Sequence, residues 1–183
     1  MSKTPISFSK CLTSLLIESE TRIDMENLAT YLNDHLAGSV AALELIDRLI
    51  EAYNGTPHAE FLKELRSEID ADQKVLTELI ATLGKKESPL RKTAAWMLEK
   101  LSRAKMQLGR SRNGDFGFFQ ALEALFLGIA GKRELWRALA TAAQTVPELR
   151  KPNYPELEQR AIAQCQRVEA KRLEIAREVF RKG

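Results

Sequence analysis

Two carboxylates, a histidine and a serine occupy positions where the pattern of the chain calls for apolar residues. Projected as a helix at about 100° per residue, the stretch that contains His35 and Ser39 places both near the middle of its apolar face. The next stretch does the same with Glu68 and Asp72. A carboxylate that faces a core must be paired, protonated or bound to a metal, because burying it alone is costly. The sequence therefore predicts an interior polar site.

These residues belong to two long helices that we expect to form a hairpin. The tetrapeptide Asn-Gly-Thr-Pro at 54–57 separates predicted helices over residues 27–53 and 57–83. Thr56 is the expected N-cap of the second helix, with proline at its first position. Pairing residues outward from this turn places Ser39 opposite Asp72 and brings all four polar residues to mid-height.

Three further helices are predicted after Gly84, where the second helix should end. The first begins after Ser88, the second covers residues 116–144 and the third covers residues 156–180. Prolines or glycines separate them. The helix over 116–144 has an apolar face that is broken at a single position, Lys132. We expect this ammonium group to join the interior site, which would then consist of His35, Ser39, Glu68, Asp72 and Lys132.

The chain is long enough for one domain with a full core, and no stretch alternates with the period of a strand. We predict an all-α fold over residues 1–183, an antiparallel up-down four-helix bundle. An extra short helix is expected within residues 1–22, where the apolar run is too short for a signal peptide. The face of the helix over 156–180 includes Gln164 and Lys171, so we expect it at the edge of the bundle or at a subunit interface.

Three interpretations of the interior site remain open. Lys132, together with His35, could neutralise Glu68 and Asp72 in a structural ion-pair network that fixes the register of the helices. The histidine and carboxylates could instead hold iron, manganese or zinc, which accept oxygen and imidazole ligands. In the third interpretation these side chains line a wet groove or an interface between chains.

Two segments carry a family resemblance. Residues 31–38, Tyr-Leu-Asn-Asp-His-Leu-Ala-Gly, and residues 61–72, Phe-Leu-Lys-Glu-Leu-Arg-Ser-Glu-Ile-Asp-Ala-Asp, resemble ferritin-like proteins of bacteria. The resemblance extends over residues 27–144. It implies a four-helix bundle with polar groups inside, and a metal centre of iron or manganese as one possible function.

The metal-ligand motif of that family is missing. Ferritin-like metal proteins carry a Glu-x-x-His pair on each of two helices, and the chain has no Glu-x-x-His and only two histidines, His35 and His58. A two-metal centre of the usual kind cannot be built from it. At most a reduced site at His35, Glu68 and Asp72 remains, and Lys132 is predicted to replace the missing cation.

Composition argues against several function classes. The formal net charge of +3, from 28 basic and 25 acidic residues, gives no strong field for nucleic acid. Basic side chains at Arg110 and Arg112, in a glycine-rich loop, are the candidate contacts for an anion. Cys11 and Cys165 lie far apart and lack metal-ligand spacing, which favours a reducing, cytoplasmic location.

These observations lead to a functional hypothesis. We expect a non-catalytic ferritin-like bundle that acts through association, most simply as a homodimer, without a membrane partner or a cofactor. An atypical metal-binding or redox protein is the alternative, and an anion-binding or nucleic-acid-binding accessory protein is the second alternative.

Overall fold

A computed structural model describes the backbone of residues 8–83 and 114–181, and the side chains of residues 25–83 and 116–181. The helix predicted after Ser88, the end predicted at Gly84, and the loop residues Arg110 and Arg112 lie outside the described residues. Within them the chain forms α-helices and one short 3-10 turn, with no strand. The predicted all-α class is confirmed for this part of the chain.

Four long helices account for most of the described residues. The 3-10 turn, Pro147–Leu149, lies between the last two. The four helices are α1 (Phe8–Ala52), α2 (Pro57–Thr82), α3 (Gly114–Ala142) and α4 (Tyr154–Phe180).

The first helix corrects one prediction. We expected a short helix within residues 1–22 that was separate from the helix over 27–53, but α1 is a single helix of 45 residues. The short apolar run that suggested a separate helix is followed by the acidic residue Glu18. Such a change from apolar to acidic residues alters what surrounds a helix but does not interrupt its backbone, and residues 8–37 contain no glycine or proline.

The turn between α1 and α2 follows the sequence prediction with one difference. Gly55 has a φ angle of 77°, a left-handed conformation that glycine adopts without steric cost. Thr56 stands at the N-cap position in an extended conformation, but its hydroxyl does not cap α2. The hydroxyl donates a hydrogen bond of 2.6 Å to the Tyr53 carbonyl and therefore secures the turn itself.

The core is lined by one apolar face of each helix. Helical periodicity predicts Trp136 on the core face of α3 and Val168 on that of α4, and both are completely buried. On α2 it predicts Phe61, Leu65, Val75 and Leu79, but Phe61 and Val75 are only half-buried, so the true core face is rotated. The residues that fill the core from α2 are Leu62, Leu65, Ile69, Leu76 and Leu79.

The helices contact one another unequally. The backbones of α3 and α4, of α1 and α2, and of α1 and α3 approach closely, whereas α2 and α4 show no comparable backbone contact. Long side chains of α4 reach across to α2 instead. Among the described residues, no helix has the length and apolar character needed to cross a membrane.

Candidate functional site

The candidate site is centred on Asp72. This residue lies on the core face of α2, between the buried Ile69 and Leu76, and only 2% of it is exposed. A helix turns about 100° per residue, so positions 69, 72 and 76 share one face and the carboxylate must point into the bundle. The position of Asp72 on α2 thus places its carboxylate in the core.

Three side chains from two other helices bind this carboxylate. Lys132 Nζ of α3 donates to Oδ2 over 2.5 Å, and Gln164 Nε2 of α4 donates to the same oxygen over 3.3 Å. Arg160 of α4 donates to Oδ1 from Nε over 2.7 Å and also from Nη2. We refer to Asp72, Lys132, Arg160 and Gln164 as the Asp72 cluster. Both oxygens of the carboxylate are occupied by donors from the chain itself.

Lys132 is the cation of α3 in the Asp72 cluster. Its side chain is 13% exposed, and Nζ also donates to Gln164 Oε1 over 2.5 Å. Burial lowers the pKa of Lys132 below its usual value, Asp72 opposes that shift, and the nearby Arg160 cation lowers the pKa further. With Lys132 protonated, one carboxylate faces two cations, so the cluster holds one positive charge in excess.

A second ion pair lies one helical turn away. Arg167 Nη2 of α4 donates to Glu68 Oε2 of α2, and both side chains are about one-third exposed. Glu68 therefore pairs with an arginine of α4, whereas Lys132 of α3 pairs with Asp72. Sequence reasoning missed Arg160 and Arg167. A signal was present, because Arg160 and Arg167 lie one turn before and one turn after the polar Gln164 on α4.

His35 and Ser39 take other partners than predicted. The His35 ring contacts the Tyr31 ring edge-on with centroids 4.7 Å apart. The hydroxyl of Ser39 donates to the Leu36 carbonyl over 2.7 Å and accepts from Gln73 Nε2 over 2.9 Å. Both residues are half-buried at the border of the core face. The predicted five-residue cluster does not form as one unit, and Asp72 with Lys132 is the part that the structure brings together.

Burial also affects the His35 ring. It lowers the pKa of His35 below 6.5, and the neighbouring Asp34 carboxylate opposes that shift. A neutral imidazole is a suitable metal ligand, so a metal site would have to consist of His35, Glu68 and Asp72.

These three residues do not fit an iron or manganese ion. A metal needs oxygen lone pairs that are free to bind it, but the Asp72 carboxylate is surrounded by two cations and an amide. Glu68 is bound to Arg167. In the part of the chain that the structure describes, no group of three or more His, Cys, Asp or Glu side chains is arranged to hold a metal.

The chain was also compared with known proteins. No family model, curated protein or solved structure matches it. The chemistry of the Asp72 cluster therefore carries the functional argument.

Proposed function

We propose that this protein is a non-catalytic helical bundle that acts through association with a second copy of itself, and that the Asp72 cluster is structural. One observation carries the structural role. Every oxygen of the buried carboxylate is bound by donors from the same chain, from α3 and from α4. Such a cluster specifies how three helices fit together, because each bond requires one relative position of its partners.

The same contacts argue against catalysis at this site. A general base needs an oxygen within hydrogen-bonding distance of a substrate proton, and Asp72 has none to offer. A lysine with a lowered pKa is a possible nucleophile. Lys132, however, is bound to Asp72 and to Gln164, so its ammonium group serves as a donor to two acceptors in the core.

We also propose the ferritin-like bundle topology for the chain and, from the resemblance, a bacterial origin. The two widely spaced cysteines support a cytoplasmic location. Contacts between successive helices support antiparallel pairs, because partners lie farther apart in sequence with increasing distance from the turn. The supporting pairs are Asp47 with Arg66 and Ser39 with Gln73 for α1 and α2, and Arg133 with Glu158 and Glu123 with Arg172 for α3 and α4.

One further contact supports parallel directions for α2 and α3. Tyr53, at the end of α1, packs on Phe118, at the start of α3, with ring centroids 4.7 Å apart. With α1 antiparallel to both α2 and α3, these two helices run in the same direction. Two parallel helices of this kind also occur in ferritin-like bundles.

Two measurements test the proposal. Sedimentation velocity over a wide range of protein concentration should show a discrete dimer, and a monomer at every concentration would overturn the association. Elemental analysis after anaerobic loading with iron and manganese should find no stoichiometric metal. Stoichiometric metal that is lost in His35→Ala or Glu68→Ala would instead establish the atypical metalloprotein.

A further inference from the structure

A cleft lies between α2 and α4 beside the Asp72 cluster. It forms where the two helices lack close backbone contact. Its volume of about 230 Å³ equals that of seven or eight water molecules at roughly 30 Å³ each. Apolar side chains supply much of its wall, among them Val75 and Leu79 from α2 and Leu157 from α4. The cleft is therefore of a size and character for a short aliphatic chain.

Arg160 connects the cleft to the Asp72 cluster. It lines the cleft, and its side chain is 31% exposed. Nε and Nη2 of its guanidinium bind Asp72. Nη1 has no hydrogen-bond partner among the described residues, so two N–H donors remain for a ligand. An arginine recognises a carboxylate well, because its planar donors match the two oxygens.

The acidic residues of the cleft are engaged elsewhere. Glu78 pairs with Lys151 over 3.3 Å at the rim. Glu156, one turn before Arg160 on α4, accepts a hydrogen bond of 3.1 Å from Asn153 Nδ2. Neither carboxylate is within ion-pair distance of Arg160. Arg160 is therefore left without a carboxylate partner on the side of the cleft, and Glu156 remains a negative charge nearby.

We propose that this cleft binds a small aliphatic carboxylate. The carboxylate group pairs with Arg160, and the hydrocarbon chain lies against Val75, Leu79 and Leu157. Two features of the site select this class of ligand. The unpaired donors and the excess positive charge call for an anion, and the apolar walls call for a hydrocarbon tail. The binding requires no change in the bonds between Arg160 and Asp72.

Calorimetric titration of the full chain with hexanoate tests the chemistry of the ligand. Hexanol has the same tail without the charge, and inorganic phosphate has the charge without the tail. Hexanoate should bind at millimolar concentration with one site per chain, and about tenfold or more tightly than hexanol, because a charge-assisted hydrogen bond is lost with the alcohol. No binding of hexanoate, or equal binding of hexanol or phosphate, would overturn the proposal.

Matched variants test the place of binding. Thr82 and Thr77 are both exposed threonines of α2 whose hydroxyls donate to backbone carbonyls, but only Thr82 lines the cleft. Thr82→Trp should abolish hexanoate binding by filling the cleft, and Thr77→Trp should leave it unchanged. Glu156→Gln should strengthen binding severalfold, because it removes a negative charge near the ligand. Retained binding in Thr82→Trp, or weaker binding in Glu156→Gln, would place the ligand elsewhere.

Discussion

The unequal numbers of anions and cations in the Asp72 cluster predict an unequal response to mutation. Asp72→Asn removes the only carboxylate and leaves Lys132 and Arg160 facing one another across an amide. Lys132 is then a cation with a 13% exposed side chain and no counter-charge from Asp72. Removing one partner of a buried ion pair costs about 3–5 kcal/mol, and we expect a loss in this range.

Lys132→Met should have a smaller effect. Asp72 keeps its bonds to Arg160 and to Gln164 Nε2, so the buried carboxylate remains paired. One charge-assisted hydrogen bond is lost, but a buried ammonium group no longer has to be desolvated, and we expect a net loss of about 1–2 kcal/mol. For a protein of this size each kcal/mol lowers Tm by about 2–4 °C.

Equilibrium unfolding in urea, followed by circular dichroism, measures both losses. A matched control is Asp47→Asn, because Asp47 also binds an arginine, Arg66, through two nitrogens but lies on the surface. That exposed pair should contribute about 0–1 kcal/mol. The reasoning fails if Lys132→Met is as destabilising as Asp72→Asn, or if Asp72→Asn costs no more than the control.

Other features of the structure lead to three further predictions. Tyr154 donates a hydrogen bond of 2.6 Å to the Leu149 carbonyl, so Tyr154→Phe should lower the free energy of unfolding by about 1–3 kcal/mol. Burial raises the pKa of Tyr154 to about 12, so absorbance titration should show one phenol that ionises late and is missing in the variant. Burial lowers the pKa of His35, so the unfolded chain binds this proton more readily than the folded protein does. The free energy of unfolding should therefore have its full value above pH 6.5 and should fall as the pH drops from 6.5 towards the pKa of His35 in the folded protein. Urea unfolding of His35→Gln should lack this dependence on pH, and an unchanged dependence would contradict the prediction. Gly55→Ala should lower the stability by about 1 kcal/mol in the same assay, because alanine is strained at a φ of 77° although nothing crowds its Cβ.

The sequence predicted the two central residues of the cluster for a simple reason. Lys132 and Asp72 each interrupt a regular apolar stripe, and helical periodicity alone places such residues in the core. The register of the hairpin was also close, since Ser39 was expected opposite position 72 and bonds to Gln73. Counting outward from the turn of a helical hairpin therefore predicts which residues lie opposite each other to within about one residue.

Two aspects of the site could not be obtained in this way. A helical projection assigns a residue to a face by its Cα position, but an arginine side chain is long enough to reach the core from the flank of a helix. Arg160 and Arg167 reach Asp72 and Glu68 through the length of their side chains. His35 and Ser39 were misplaced because the periodicity of α1 was read from Leu28, Leu32, Ile46 and Tyr53. Leu36 and Leu43, which flank the two polar residues, also belong to the core.

The contact between α2 and α4 has a mechanical consequence. The backbones of α1 and α3 approach closely, while α2 and α4 lie farther apart and are joined by the directional bonds of Arg160 and Arg167 to Asp72 and Glu68. Directional bonds resist axial sliding of one helix past the other, but they give little resistance to separation once the Asp72 carboxylate is removed. Substitution of Asp72 should therefore let the two helical hairpins rotate apart about the line where α1 meets α3.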